Sequence, residues 1–228
     1  MKKFTTILFD VDGTLLDFDK TETEALNNTF IELGIEQSKN NTLAYSRINE
    51  SLWKQLEEGK INKDKLKTER FKQFFYEINI VKDEFLASDI YIKHLSNSYF
   101  YIEGAMDVCI KLSQSHQVAI VTNGIAKVQH SRCKLSGLND IFEHVFISDE
   151  IGCPKPKKEF FDYVFKELCI EDLDKVIIVG DSLTSDIKGG NNANIATCWY
   201  NPKGLENNTD SVCDYEIKSL YKIMEIVN

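Results

Sequence analysis

The chain has 228 residues, 43% of them hydrophobic and 28% charged, enough for one sizeable core with a smaller unit added. Its net charge of −9 excludes a nucleic-acid polymer as partner, because neutralising many phosphates takes a basic face. A single small phosphorylated molecule, held by a metal and one lysine, stays compatible with that charge.

No apolar run approaches the ~20 residues that span a bilayer. Ile7-Leu8-Phe9 is too short for the apolar part of a secretion signal, so a cytoplasmic location is expected. The cysteines 109, 133, 153, 169, 198 and 213 are scattered without a C-x-x-C pair, which predicts reduced thiols. The histidines 94, 116, 130 and 144 form no ligand-spaced set.

Ile7-Leu8-Phe9 reads as a buried strand, followed at once by Asp10-Val11-Asp12-Gly13-Thr14. The pattern then turns helical to about residue 100. Thr21-Glu22-Thr23-Glu24 is a capping-box pattern before Leu26, Phe30 and Leu33 at helical spacing. A second helix carries Ile48, Leu52 and Leu56, with Gly59 as its stop. A third starts near Asn62 with Phe71, Phe74, Phe75 and Ile78. A fourth, from about Asp83, carries Phe85, Ile92, Leu95 and Tyr99. Four amphipathic helices on short connections predict a small bundle.

From Gly104 the pattern alternates. Helices are expected at 105–113, up to Leu135, at 160–168, from Ile187 to Asn192, and at 217–227. Apolar strands are expected at 118–121, 145–147, 176–179 and 196–200. Continuous apolar strands alternating with helices predict a parallel sheet covered on both faces. The fold class is therefore α/β: a Rossmann-like parallel core of residues 1–16 and 101–228, with an all-helical insertion at 17–100.

Three strand ends carry polar clusters that should meet at one rim of the sheet, where α/β proteins bind ligands. The first offers Asp10 and Asp12. The second offers Thr122, with the backbone amides of Asn123 and Gly124. The third offers Asp181 and Asp186. Lys155 lies between Pro154 and Pro156, a stiff loop that fixes its direction. Clustered acids repel one another unless a cation sits between them. Acids for Mg²⁺, donors for phosphate oxygens and one lysine are the parts that phosphoryl transfer needs.

Asp10-Val-Asp12-Gly-Thr14, Thr122-Asn123-Gly124, Lys155-Pro156 and Gly180-Asp181-x₄-Asp186 resemble the four motifs of the haloacid dehalogenase-like superfamily. The resemblance covers the whole chain, including a helical cap after the first motif. It implies that Asp10 is the nucleophile, forming an aspartyl-phosphate, and that Asp12 is the general acid and base. It implies that Thr122, Asn123 and Lys155 hold phosphate, with Lys155 also neutralising Asp10. The metal set it implies is Asp10, Asp12, Asp181 and Asp186, around Mg²⁺. Dehalogenases of this fold lack the second acid, because a halide leaving group needs no proton. Asp12 thus implies phosphoester chemistry. Asn194 stands where relatives often have glycine, and Asn is the usual second choice for a positive φ.

The cap is expected to choose the leaving group. Asn49-x-x-Leu52-Trp53, Gly59-x-Ile61 and Arg70-Phe71 resemble a branch of pyrimidine nucleotide 5′-monophosphatases, as do Asp149-Glu150-Ile151-Gly152, Phe161-Asp162-Tyr163 and Ala196-Thr197-Cys198-Trp199. That implies a (deoxy)pyrimidine nucleoside 5′-monophosphate such as dUMP or dTMP as substrate. Trp53 or Phe18 would be available to stack a base, although helical spacing favours a core role for Trp53. The competing readings are a sugar-phosphate phosphatase or phosphomutase, and a non-catalytic phosphate-binding module.

Overall fold

The computed structural model describes residues 3–228. Strand β1 (Thr6–Phe9) is followed by four helices, α1 (Phe18–Leu33), α2 (Lys39–Glu57), α3 (Lys63–Glu77) and α4 (Glu84–Ser96). Helix α5 (Ala105–Ser113) then leads to β2 (Gln117–Thr122), α6 (Ala126–Leu135), β3 (His144–Ile147), α7 (Ser148–Ile151) and α8 (Lys158–Glu167). The chain continues through β4 (Val176–Gly180), α9 (Lys188–Ala193), β5 (Ala196–Tyr200), β6 (Tyr215–Ile217) and α10 (Ile223–Val227). It divides into two compact units, Met1–Phe18 with Phe100–Asn228, and Asp19–Tyr99.

The first unit is a six-stranded sheet in the order β3-β2-β1-β4-β5-β6. Every pairing is parallel. A parallel sheet covered on both faces needs strands that are apolar throughout, and β1 and β4 are buried at every position. On one face Leu8, Val121 and Ile178 pack against Phe160, Phe161 and Val164 of α8. On the other, Phe9 meets Phe142 edge to face at 6.0 Å. From β1 the chain builds outward to β2 and β3, then restarts at β4 on the opposite side. The sheet's order therefore reverses between β1 and β4, and that crevice is where such sheets take ligands.

The second unit is built on aromatic rings. Phe30 and Phe74 stack at 5.3 Å, and Tyr45 lies 5.0 Å from Phe71 and 5.4 Å from Tyr91. Burying each such ring contributes roughly 1.5–3 kcal/mol. Three of its helices have side-chain caps: Ser38 accepts from the Asn41 amide, Asn62 from that of Lys65, and Asp83 from those of Phe85 and Leu86.

Four local expectations change. Helix α1 begins at Phe18, so Thr21 and Glu22 are buried inside it and the capping-box reading fails. In α4 the inward arc is Ala87, Tyr91 and Leu95, at four-residue steps, which turns Phe85 outward to 63% exposure. Residues 217–227 do not form one helix, because Ile217 pairs with Tyr200 at the end of a sixth strand. The helix expected from Ile187 is preceded by a π-helical turn, Leu183–Ile187, which carries Asp186. Asn194 does hold a positive φ, 56°.

Candidate active site

The site grows from the end of β1. The Asp10 amide still bonds to the Val179 carbonyl at 3.0 Å, so the β1–β4 ladder runs one residue past the strand and aims Asp10 from the crevice. The backbone then folds back, with the Val11 carbonyl accepting from Leu15 at 2.9 Å and Leu16 at 2.8 Å. Gly13 makes this possible. Its φ is +87°, and a Cβ there would lie 2.4 Å from Asp181 Oδ2.

Lys155 is completely buried, and its ammonium donates to Asp10 Oδ1 at 2.7 Å, Asp186 Oδ1 at 2.5 Å and the Val121 carbonyl at 2.7 Å. An ammonium has three hydrogens, and each has a protein acceptor here. Burial works against its charge, but Asp10 and Asp186 together carry the Lys155 pKa above the ordinary lysine range. Asn123 fixes this loop from the side: its Nδ2 donates to the Lys155 carbonyl and its Oδ1 accepts from the Lys155 amide, both at 2.9 Å. The same Nδ2 lies 3.3 Å from Ser185 Oγ. Asn123, expected to hold phosphate, thus has its side chain engaged in holding the lysine loop.

Asp10, Asp181 and Asp186 each offer an oxygen within 4.8 Å of the others. One lysine faces three carboxylates, and it touches only Asp10 and Asp186. Burial raises the Asp10 carboxyl well above its usual range despite the pull of Lys155. Asp181 keeps exposed surface, but crowding by protein around its carboxyl and the neighbouring Asp186 raise it to about 7. An oxygen-rich pocket with an excess of acid is what a hard divalent cation such as Mg²⁺ requires. The donor set fits that ion. Asp186 is steadied by the Ser182 amide, which donates to its Oδ2 at 3.1 Å.

Asp12 is differently placed. Its carboxylate is held by the Arg132 guanidinium at Oδ1 and by Gln129 Nε2 at Oδ2, 2.7 Å away. Gln129 Nε2 also donates to Thr122 Oγ1 at 2.8 Å. The Gly124 amide, expected to face phosphate, donates to that same hydroxyl at 3.1 Å.

Gln129 and Arg132 lie outside the four motifs, although the sequence carries a signal for them. On α6 the buried set is Val128, Gln129, Arg132 and Cys133, one face of a helix, so apolar spacing brings two polar side chains inward. Ser182 and Ser185 carry no comparable signal, because Ser182 meets Asp186 through the π-helical turn and Ser185, within that turn, meets the distant Asn123. Trp53 is half-buried, and Phe18 has the Arg132 guanidinium carbon 6.0 Å from its ring centre.

The family model described as haloacid dehalogenase-like hydrolase matches residues 7–200. The HAD-hydrolase YfnB of Bacillus subtilis is 38% identical over all of this chain and 97% of its own. The pyrimidine 5′-nucleotidase PynA of Streptococcus pneumoniae is 36% identical, covering 97% of this chain and 94% of its own. The pyrimidine 5′-nucleotidase YjjG of Escherichia coli is 28% identical, over 99% and 98%. A crystal structure of YfnB bound to magnesium superposes with a TM-score of 0.94, at 37% identity and over the whole of both chains. The chain is a hydrolase built on a parallel α/β sheet, with its polar groups at the carboxyl ends of the strands. It belongs to the haloacid dehalogenase-like hydrolase family.

Proposed function

We propose that this protein is a Mg²⁺-dependent phosphomonoesterase that works through an aspartyl-phosphate on Asp10, with a pyrimidine nucleoside 5′-monophosphate as substrate. The observation that carries the mechanism is the division of the acids. Asp10, Asp181 and Asp186 share one pocket with Lys155, whereas Asp12 has partners of its own. The relatives named pyrimidine 5′-nucleotidase over nearly the full chain support the substrate.

In this reading Asp10, Asp181 and Asp186 hold Mg²⁺, which supplies charge neutralisation for the phosphoryl oxygens. A carboxylate oxygen of Asp10 attacks phosphorus. As the new O–P bond forms, the ester P–O bond breaks and Asp12 gives its proton to the leaving oxygen. Asp12, now a carboxylate, takes a proton from water, whose oxygen attacks the same phosphorus. The bond to Asp10 then breaks and inorganic phosphate leaves. Lys155 aims Asp10 and favours its charged form against the effect of burial, and the Thr122 hydroxyl donates to phosphate. Six free cysteines support a reducing compartment, the cytoplasm. Among the described residues, no helix is long and apolar enough to cross a membrane.

The test is a panel of nucleoside monophosphates and hexose phosphates with Mg²⁺, repeated with a chelator. Preference for dUMP or dTMP, lost on chelation, is the expected result. If hexose phosphates are turned over equally well, the nucleotide assignment fails. Turnover that survives chelation overturns the mechanism.

A further inference from the structure

Two side chains of α6 stand behind the polar groups of the site, and neither belongs to the four motifs. Gln129 has no exposed surface and links two of those motifs through a single nitrogen. Its Nε2 carries two hydrogens. One goes to Asp12 Oδ2 at 2.7 Å and the other to Thr122 Oγ1 at 2.8 Å. The orientation of the amide is consistent at its other end, where Oε1 faces Arg132 Nη1 at 3.4 Å.

The consequence for Thr122 follows from counting. A hydroxyl has two lone pairs and one hydrogen. The Gly124 amide and Gln129 supply a donor to each lone pair. Among the described residues no acceptor takes the remaining hydrogen, which must point away from both donors. Thr122 is therefore set as a donor before any ligand arrives.

Arg132 completes the arrangement. It is fully buried, and its Nη1 donates to Asp12 Oδ1, while among the described residues its Nε and Nη2 find no hydrogen-bond partner. A buried guanidinium with two unmet donors is costly, so stability alone does not account for its place here. Its charge is spent on Asp12. Each Asp12 oxygen keeps a second lone pair, so the pair of donors fixes the carboxylate and leaves room for a proton in transit. Gly124 belongs to the same device. A Cβ there would lie 2.2 Å from Gln129 Nε2, so any side chain at 124 would expel the glutamine.

We infer that Gln129 and Arg132 are positioning residues: they hold Asp12 where it can protonate the leaving oxygen and turn the Thr122 hydroxyl toward phosphate. This inference rests on the phosphomonoesterase reading above. The step it serves is the transfer of the Asp12 proton to the ester oxygen as the P–O bond breaks and the Asp10 O–P bond forms.

The test separates leaving groups. kcat/KM reports the steps up to departure of the leaving group. An alkyl ester, such as a nucleotide or sugar phosphate, needs the proton; p-nitrophenyl phosphate does not. Arg132→Met should lower kcat/KM for the best alkyl phosphate by about 30-fold and for p-nitrophenyl phosphate by no more than about 3-fold. Arg132→Lys, which restores a cation, should recover part of the alkyl loss. Gln129→Leu should in addition weaken inhibition by inorganic phosphate by about 5-fold, through Thr122. Thermal melts of each variant show whether it is folded. Equal losses on both ester types, with no recovery in Arg132→Lys, overturn the inference, as does any gain on alkyl esters. A wild-type protein that hydrolyses neither ester removes the phosphomonoesterase reading and this one with it.

Discussion

Both units of the molecule bury charged groups, and they do so on opposite terms. In the helical unit Glu22 is met on every side: Ser46 and Asn49 donate to its two oxygens at 2.7 and 2.8 Å, and Arg70 lies behind Asn49 at 3.4 Å. Arg70 also stacks over Tyr91, its guanidinium carbon 4.6 Å from the ring centre. One acid is balanced by one cation. In the α/β unit three carboxylates gather around one lysine: Lys155 touches Asp10 and Asp186, and among the described residues no cation is paired with Asp181. A balanced buried pair needs nothing from outside the chain. An unbalanced cluster is stable only where a ligand completes it, and that is how a site differs from a structural ion pair.

The largest effect expected from breaking this difference is at Asp10. Asp10→Asn removes the proposed nucleophile and one excess charge together, so turnover should fall by on the order of 10⁴-fold or more. The thermal midpoint of the metal-free protein should hold or rise. A non-catalytic phosphate-binding module would lose little, and steady-state kinetics decide between the two.

Gly13→Ala should come next. A methyl group at φ +87°, directed at Asp181 Oδ2, displaces an acid of the cluster. The concentration of Mg²⁺ giving half-maximal activity should rise by about 10-fold or more. An unchanged metal requirement would show that the contact with Asp181 does not matter.

Stability sharpens the comparison further. Arg70→Met should cost about 3 kcal/mol in urea denaturation, because it leaves Glu22 and Asn49 buried without their cation. Asp181→Asn, measured without metal, should cost nothing or stabilise. Equal destabilisation by the two variants would mean that the two clusters are not different in kind.

The smallest effect is in the pH dependence. The Asp181 carboxyl is raised from its ordinary 3.8 to about 7 in the folded chain. Between those values the folded state holds a proton that the unfolded state has lost, so this group makes stability fall as pH rises through that window. Mg²⁺ relieves the repulsion between the acids. Its stabilisation, read as a shift in thermal midpoint, should therefore be a few degrees larger near about pH 8 than near about pH 5. A shift independent of pH would contradict the assignment of Asp181 to the metal pocket.

Much of the site could be read from the sequence because of where residues fall along it. Asp10, Thr122 and Asp181 come directly after or at the end of apolar runs, and parallel strands in one sheet end on the same rim. The strands were legible for the same reason, their runs being apolar throughout. Element ends were less so. Thr21 reads as a cap, but helix α1 already runs through it from Phe18. Phe85 reads as core, but α4 turns it outward because the neighbouring helices receive Ala87, Tyr91 and Leu95. Local spacing fixes a helix's period and leaves the phase of its buried arc to the partner it packs on.

The sequence by itself determined the alternation of strands and helices, the helical insertion and the residues at the sheet's rim, since these depend on periodicity and order along the chain. The tertiary structure alone decided which acids share a pocket. Asp10 and Asp12 are two residues apart, yet one joins Lys155, Asp181 and Asp186 while the other turns to Gln129 and Arg132. Such pairing depends on side-chain direction at a tight turn and on donors more than a hundred residues away. The unmet charge that marks the site arises only when those distant groups are brought together.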